Sequence, residues 1–470
     1  MINRTNYKKY LIWVLLLYGL LITLLDLDYN SVFFDEALNI VVGRQLLSGQ
    51  YCPGCLYFMG SVIVHPVLAA TGDAIGGLNG ARIVSLLFGM GIIVVIYMTG
   101  RVLFNIKTGL IAATLFLFSG TAQYLMKLAT YDTAGAFFLS AGALLIFVAV
   151  SKESGGKQVA ALLGASLFLF LASITKYVLP VFIPPLLVYL WVRLGLRKTL
   201  LFTVLPIMAL LVLFYLFAPY APRGEVLEHL RSSETTVHVD LLTLADWTFR
   251  WIALAYLLSV FGMFHEKKGK TAILLFVLST PIIILHMVTR VEQSINKNVI
   301  YSLVFLAPAT ALGVDHIGNL FSMRSENKVI RNFFTIAVIV VSWAYGMYNL
   351  RWLERQYPDM GPVIEFFQEE GFDGMTLATN GWGEVIYTYS LGDKYPNASF
   401  VQINEAFRND GNVITLNRKP DFIVCEDPYY GDRCPCEDYY DHMKDDYTVL
   451  KEFEFDHPWG TSIGTVFGRR

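Results

Sequence analysis

Long apolar runs separated by short charged loops dominate this chain. A run of about 20 mainly apolar residues has few stable options other than a membrane-spanning helix. In hydrocarbon no water satisfies backbone N–H and C=O groups, so each run must close its own hydrogen bonds. Read this way, the 470 residues give roughly eleven spans: 10–27, 81–103, 108–124, 132–150, 158–175, 177–195, 199–218, 246–264, 271–289, 299–318 and 332–350. The composition agrees, with 55% hydrophobic residues, 16% charged residues and a mean hydropathy of +0.51. A soluble domain carries roughly 25% charged residues. A net charge of −2 gives no basis for a nucleic-acid partner. The stretch 56–72 is apolar but short, is broken by Gly60, His65 and Pro66, and reads as re-entrant or interfacial. No small-residue cleavage site follows Leu11 to Leu25, so the first helix is read as a retained signal anchor.

Basic residues set the expected orientation, because Lys and Arg collect in short cytoplasmic loops. Lys8 and Lys9, Arg101 and Lys107, Lys152 and Lys157, and Arg193, Arg197 and Lys198 fall in alternate loops. Lys267, Lys268 and Lys270, then Arg324, Lys328 and Arg331, continue the alternation. The N-terminus is therefore expected in the cytoplasm and everything after residue 350 outside it. Topology does not require the cations left in the outer loops: Arg44, Arg82, Lys127, Lys176, Arg223, Arg231, Arg290 and Lys297. They are candidates for anion binding or for interfacial snorkelling. All five cysteines (Cys52, Cys55, Cys425, Cys434 and Cys436) also fall outside, where an oxidising compartment favours disulfides over a structural zinc. Cys52 and Cys55 can pair with each other or with Cys434 and Cys436, which leaves Cys425 over.

Residues 1–350 are expected to form the membrane domain, with large outer loops at 28–80 and 219–245. Within the first loop, Asp35 to Ser48 has the spacing of an amphipathic helix and is expected to lie along the membrane surface. Residues 351–470 contain no apolar run long enough to span. Pro362 to Glu370 reads as a helix. Met375 to Thr379, Asp421 to Cys425, Val449 to Phe455 and Ser462 to Phe467 read as strands. The tail is thus expected to be a small extracytoplasmic α/β domain.

Two adjacent acids, Asp35 and Glu36, follow the first apolar helix. Carboxylates at the mouth of a membrane bundle are suited to taking a proton from an acceptor hydroxyl. The alternative is a helix N-terminus with acids in its first turn. Further along come His65-Pro66, then Ala81-Arg82-Ile83-Val84-Ser85, then Lys127 and Asp132, then Thr175-Lys176, then Lys297, Tyr301 and Pro308. In this order the chain resembles the GT-C superfamily of membrane glycosyltransferases, in the branch of the protein O-mannosyltransferases and the lipid A aminoarabinose transferase. The resemblance implies a GT-C-like polytopic fold, a polyprenyl-phosphate sugar as donor and inversion at the anomeric carbon. It implies Asp35 as the base, with Glu36 beside it. It implies that Asp132 orients donor or acceptor, although an N-cap role suits Asp132 as well. Lys127, Lys176, Arg290 and Lys297 become candidates for the donor phosphate, where fixed positive charge favours a departing anion. Arg82 reads as a helix anchor and His65 as a loop residue beside a proline. Tyr301 is a further candidate. Nothing in the sequence indicates a metal or cofactor, and a divalent ion is left open.

The expected partners are the lipid-linked donor, membrane lipids and an acceptor that is a glycan, a lipid or a protein. Two other readings compete: a transporter or flippase of lipid-linked glycans, and an oligosaccharyltransferase-like enzyme. A transporter usually carries internal repeats and charge at mid-membrane. Here the polar residues gather toward one face. Against the third reading, Asn380-Gly381-Trp382-Gly383 does not supply a WWDxG-like motif.

Overall fold

The computed structural model describes residues 7–50, 63–152, 155–217, 239–291, 294–325, 328–379, 383–403, 407–409, 414–416, 419–426, 444–458 and 460–470. They divide into two compact units, Met1–Leu27 with Tyr51–Arg351, and Asp28–Gln50 with Trp352–Arg470.

The first unit is a helical bundle. Its helices are α1 (Tyr7–Leu24), α3 (Val64–Leu103), α4 (Ile106–Leu117), α5 (Gly120–Met126), α6 (Tyr131–Ser151), α7 (Gly156–Thr175), α8 (Ile183–Leu194), α9 (Leu205–Phe217), α10 (Leu241–Met263), α11 (Gly269–Leu278), α12 (Pro281–Thr289), α13 (Ile295–Ser325) and α14 (Lys328–Glu354). Each apolar run read from the sequence is mainly helical over its described residues. Among the described residues eight helices are long and apolar enough to cross a membrane, or nine if the pair α4 and α5, bent by 69°, is one span. The expectation was eleven. The first and sixth runs are shorter apolar helices, Tyr10–Leu24 and Leu179–Leu194. This is an integral membrane protein.

Two local features position the polar groups. The 40 residues of α3 do not form one straight rod. Gly77 has φ 61°, a left-handed value that glycine adopts without strain, and Gly76 beside it is also non-helical. A Cβ built on Gly80 would lie 2.1 Å from the Gly72 carbonyl oxygen. Eight residues of straight helix would separate these positions by about 12 Å. The chain therefore folds back at Gly76–Gly77, with Gly72 and Gly80 in backbone contact. The first limb, from Val64, carries His65 and Pro66 and occupies part of the stretch read as re-entrant. The second feature is α13, the most enclosed of the candidate spans, with 83% of its apolar window buried. Its buried residues are mostly apolar, with the polar Asn296, Lys297, Asn298 and Ser302 among them. It packs against α10, α4 and α6. Gly313 meets the backbone of α10 at Leu258 and Gly262, a close approach that only small residues permit.

The second unit joins α2 (Phe34–Leu47) to the C-terminal part of the chain. It contains α15 (Gly361–Glu370), β1 (Thr376–Thr379), α16 (Gly383–Leu391), β2 (Ser399–Gln402), β3 (Phe407–Asn409), β4 (Ile414–Leu416), β5 (Phe422–Glu426), β6 (Tyr447–His457) and β7 (Gly460–Arg469). Five strands form one sheet in the order β2-β1-β5-β7-β6. β1 pairs in parallel with β2 and β5, and β7 pairs antiparallel with β5 and β6. The helix and four strands read from the sequence recur here within a few residues. α2 is helical as expected, but its apolar side is not given to lipid. Ala37, Leu38, Ile40 and Val42 are buried, and α2 packs on α16. Cys425, the cysteine that pairing on paper left over, is disulfide-bonded. The other four cysteines lie outside the described residues, as do Arg223 and Arg231.

Candidate active site

Asp132 is the centre of a buried polar cluster in the bundle. It is the second residue of α6, and its N-cap position is Thr130, with no side-chain capping bond. Its carboxylate does not cap the helix, so the N-cap alternative fails. Instead Oδ1 accepts from Lys176 Nζ at 2.6 Å and from the Tyr301 hydroxyl at 3.0 Å. Asp132 is 0% exposed and Lys176 4%. A charge this deep is tolerated only when it is paired and hydrogen-bonded.

Lys176 follows α7 and points inward between two aromatic rings. Its ammonium lies 5.0 Å from the Tyr131 ring centroid and 5.3 Å from that of Tyr301. It also donates to Asn298 Oδ1 at 2.6 Å. Asn298 Nδ2 then faces His286 Nε2 at 2.9 Å, and His286 Nδ1 faces the Val291 carbonyl at 2.7 Å. A carbonyl only accepts, so His286 donates from Nδ1 and its Nε2 accepts from Asn298. One direction of donation thus runs from Lys176 through Asn298 and His286 to the backbone. The sequence reading missed both Asn298 and His286. The signals were a polar residue beside Lys297 and a histidine inside an apolar helix.

Lys297 stands in the first turn of α13, is 4% exposed, and acts electrostatically on Asp132. The N-terminus of a long helix adds partial positive charge at the same place. The α12–α13 connection holds two non-glycine residues in left-handed conformations, Arg290 (φ 55°) and Ser294 (φ 63°). Such conformations are uncommon and gather at functional sites. The Arg290 side chain is exposed, and its carbonyl accepts from Val239 N at 3.1 Å.

The remaining candidates separate from this cluster. Lys127 is buried and forms an ion pair with Asp26 just past α1, not with Asp132. Arg82 donates to the Leu27 carbonyl at 2.7 Å and so anchors the same segment. His65 belongs to the first limb of α3 rather than to a loop. It is 0% exposed, and Asp132 acts on it electrostatically. Among the described residues no group of three or more His, Cys, Asp or Glu side chains is placed to hold a metal.

The opposite end of α13 has a different character. Lys107 pairs with Asp315 at 2.6 Å. Asp315 lies 18 residues beyond Lys297, about 27 Å along the helix. The enclosed polar cluster therefore belongs to one end of the bundle.

Asp35 and Glu36 lie in the second unit, in the first turn of α2. Glu36 is buried and its carboxylate accepts from Phe33 N at 3.0 Å. That is the acidic half of a capping box. Asp35 is half-buried, and its carbonyl accepts from Asn39 Nδ2 at 2.7 Å. The chain before α2 is tied to the chain before α15. Ser31 N donates to Asp359 Oδ1 at 3.1 Å, Met360 N donates to Ser31 Oγ at 2.8 Å, and the Phe33 and Tyr357 rings meet at a tilt of 39° with centroids 4.0 Å apart. Arg44, at the far end of α2, pairs with Asp393 at 2.9 Å.

This fold has known counterparts: it is the GT-C fold seen in integral-membrane glycosyltransferases, and a family model matches part of the chain. Residues 63–222 match the family of dolichyl-phosphate-mannose-protein mannosyltransferases. ArnT from Cupriavidus metallidurans bound to undecaprenyl phosphate superposes with a TM-score of 0.62 at 13% identity, over 97% of both chains. The same protein in its apo state gives 0.63 at 12% identity, over 97% of this chain and 98% of that one. An oligosaccharyltransferase from Archaeoglobus fulgidus gives 0.52 at 12% identity, over 85% of this chain and 65% of that one. No curated protein is significantly similar to the chain in sequence.

Proposed function

We propose that the protein transfers a sugar from a polyprenyl-phosphate donor to an acceptor hydroxyl at the extracytoplasmic face, with inversion at the anomeric carbon. The observation that carries this reading is the pair of buried lysines, Lys176 and Lys297, gathered with the N-terminus of α13 at one end of a lipid-embedded bundle. Fixed cations in a water-poor site favour negative charge developing on a leaving phosphate. Lys176 is engaged by Asp132, and Lys297 and the exposed Arg290 stand beside it as phosphate candidates. Lys127 drops out because Asp26 already engages it. Asp35 is the proposed base. Glu36 is left to hold the helix start, since its carboxylate is bonded to the backbone. ArnT, of the same fold, binds undecaprenyl phosphate, which supports a lipid-phosphate donor here. The acceptor is a protein, lipid or glycan hydroxyl.

The experiment is turnover in proteoliposomes with a panel of labelled undecaprenyl-phosphate sugars. Asp35→Asn is expected to lower kcat by about 10²–10⁴-fold, the usual contribution of a general base, with donor affinity unchanged. Lys297→Ala is expected to weaken donor binding. Near-normal turnover in Asp35→Asn removes the base assignment. Unchanged donor affinity in both Lys297→Ala and Arg290→Ala removes the phosphate assignment.

A further inference from the structure

We propose that His286 is a positioning residue for the transfer reaction: acting through Asn298, it fixes where the Lys176 ammonium stands as the phosphate leaves. The inference rests on the lipid-phosphate donor reading above and adds the residues that hold one of its cations in place.

A lysine is by nature an adaptable charge. Its ammonium ends a flexible four-carbon stem and its three donors rotate. Fixed charge lowers a barrier most when nothing has to move as the new charge develops. Lys176 is restrained by two acceptors of different kinds, Asp132 Oδ1 and Asn298 Oδ1, each at 2.6 Å. The carboxylate supplies a counter-charge. The amide oxygen directs the ammonium without adding a second negative charge.

That restraint is only as good as the orientation of the amide, and His286 sets the orientation. Its Nδ1 donates to the Val291 carbonyl at 2.7 Å, which leaves Nε2 to accept from Asn298 Nδ2 at 2.9 Å. Turning the amide over would set Nδ2 against the ammonium, donor against donor. It would also set Oδ1 against Nε2, acceptor against acceptor. Asn298 is 3% exposed and His286 6%, so bulk water is not at hand to make good either mismatch. The relay has one sense and is closed at both ends, by a lysine that only donates and a carbonyl that only accepts.

A plainer role for His286 would be to attach α12, which is nine residues long, to the bundle. Other bonds already do so. Just before α12 the Ser279 carbonyl accepts from Ser302 Oγ at 2.6 Å, and Ser279 Oγ pairs with the Tyr256 hydroxyl at 2.9 Å. Ser302 lies about one turn beyond Asn298 on α13. The start of α12 is thus pinned to the same helix that carries Asn298, and the imidazole is left to orient the amide.

Two amide variants separate these roles. His286→Asn places an amide near the Nδ1 position, where it can keep the bond to Val291 but does not reach Asn298. His286→Gln places one near the Nε2 position, where it can keep the bond to Asn298. Turnover is measured in proteoliposomes with labelled undecaprenyl-phosphate sugars. His286→Asn is expected to lower kcat by about 10–100-fold, the scale of misplacing a group by about 1 Å, with the donor KM changed by less than about twofold. His286→Gln is expected to recover most of kcat. In an Asn298→Leu background, His286→Asn is expected to cost nothing further. The reverse order, with the asparagine variant near normal and the glutamine variant impaired, assigns His286 to the α12–α13 turn and overturns the proposal. Near-normal kcat in both variants, a change confined to KM, or losses that multiply in the double variant also overturn it. A second measurement depends on neither turnover nor the folding of His286→Asn. In the wild type, 15N NMR is expected to show His286 as the Nδ1–H tautomer, its signal assigned by loss in His286→Gln, and an Nε2–H tautomer sinks the relay. A wild type that turns over no undecaprenyl-phosphate sugar refutes the donor reading instead, a distinct result.

Discussion

Lys176→Met tests whether the Asp132 cluster is an electrostatic unit. The substitution keeps the length of the side chain and deletes the ammonium. It strands Asp132, whose side chain is 0% exposed beside a lysine side chain 4% exposed, and it removes the donor to Asn298 Oδ1. Removing one partner of a buried ion pair costs about 3–5 kcal/mol, because the other charge stays buried alone. The Asn298 bond adds about 1 kcal/mol. At roughly 2 °C per kcal/mol for a large domain, Tm should fall by about 8–12 °C. Membrane proteins often unfold irreversibly, so the assay is intrinsic-fluorescence melting in nanodiscs at one fixed scan rate. Asp132→Asn alone also destabilises, but the double variant removes the stranded charge. Its loss should be smaller than the sum of the two single losses by about 2 kcal/mol or more. A Lys176→Met variant melting within about 1 °C of wild type, or strictly additive losses, would refute the argument.

Two further outcomes follow from the packing. Gly80→Val places a branched Cβ 2.1 Å from the Gly72 carbonyl and should unfold the hairpin of α3, seen as loss of monodisperse protein on size exclusion, whereas Ile75→Ala, at a site 85% exposed, should have little effect. In the second unit, burial pushes the Tyr447 hydroxyl up to about 12 from an ordinary value of 10.0. Between these values the unfolded chain gives up its proton while the folded chain keeps it, so stability falls as pH rises from 10 to 12. Tyr447→Phe should flatten that slope in alkaline melting curves, at the expense of the bond to the Pro420 carbonyl.

Helical segments were legible because hydrocarbon imposes one solution on every long apolar run. The hairpin at Gly76–Gly77 was half-legible, as a broken apolar stretch followed by a separate span. The surroundings of α2 were not, because an amphipathic pattern reports that one side is covered and not by what. Its apolar residues suit lipid and suit α16 equally. At the site, Asp132, Lys176, Lys297 and Tyr301 stood out as polar residues at the ends of apolar helices, and the structure brings Asp132, Lys176 and Tyr301 together. Lys127 was misleading for the same reason. It too is a cation at a helix end, but its partner, Asp26, sits about 100 residues earlier in the chain, beyond the reach of any local pattern. His286 and Asn298 matter through a relay of bonds across three elements, which spacing along the chain does not encode.

The union of α2 with the C-terminal unit has a consequence for synthesis. Ser31 and Asp359 are bonded across 328 residues, so the segment bearing Asp35 is made long before its scaffold. At about 5–20 residues per second, the ribosome needs roughly 15–65 s to cover that interval. Throughout it, α2 lacks α16, the helix on which it packs. A message cut short before residue 359 would yield a complete bundle whose acid-bearing helix never finds its seat.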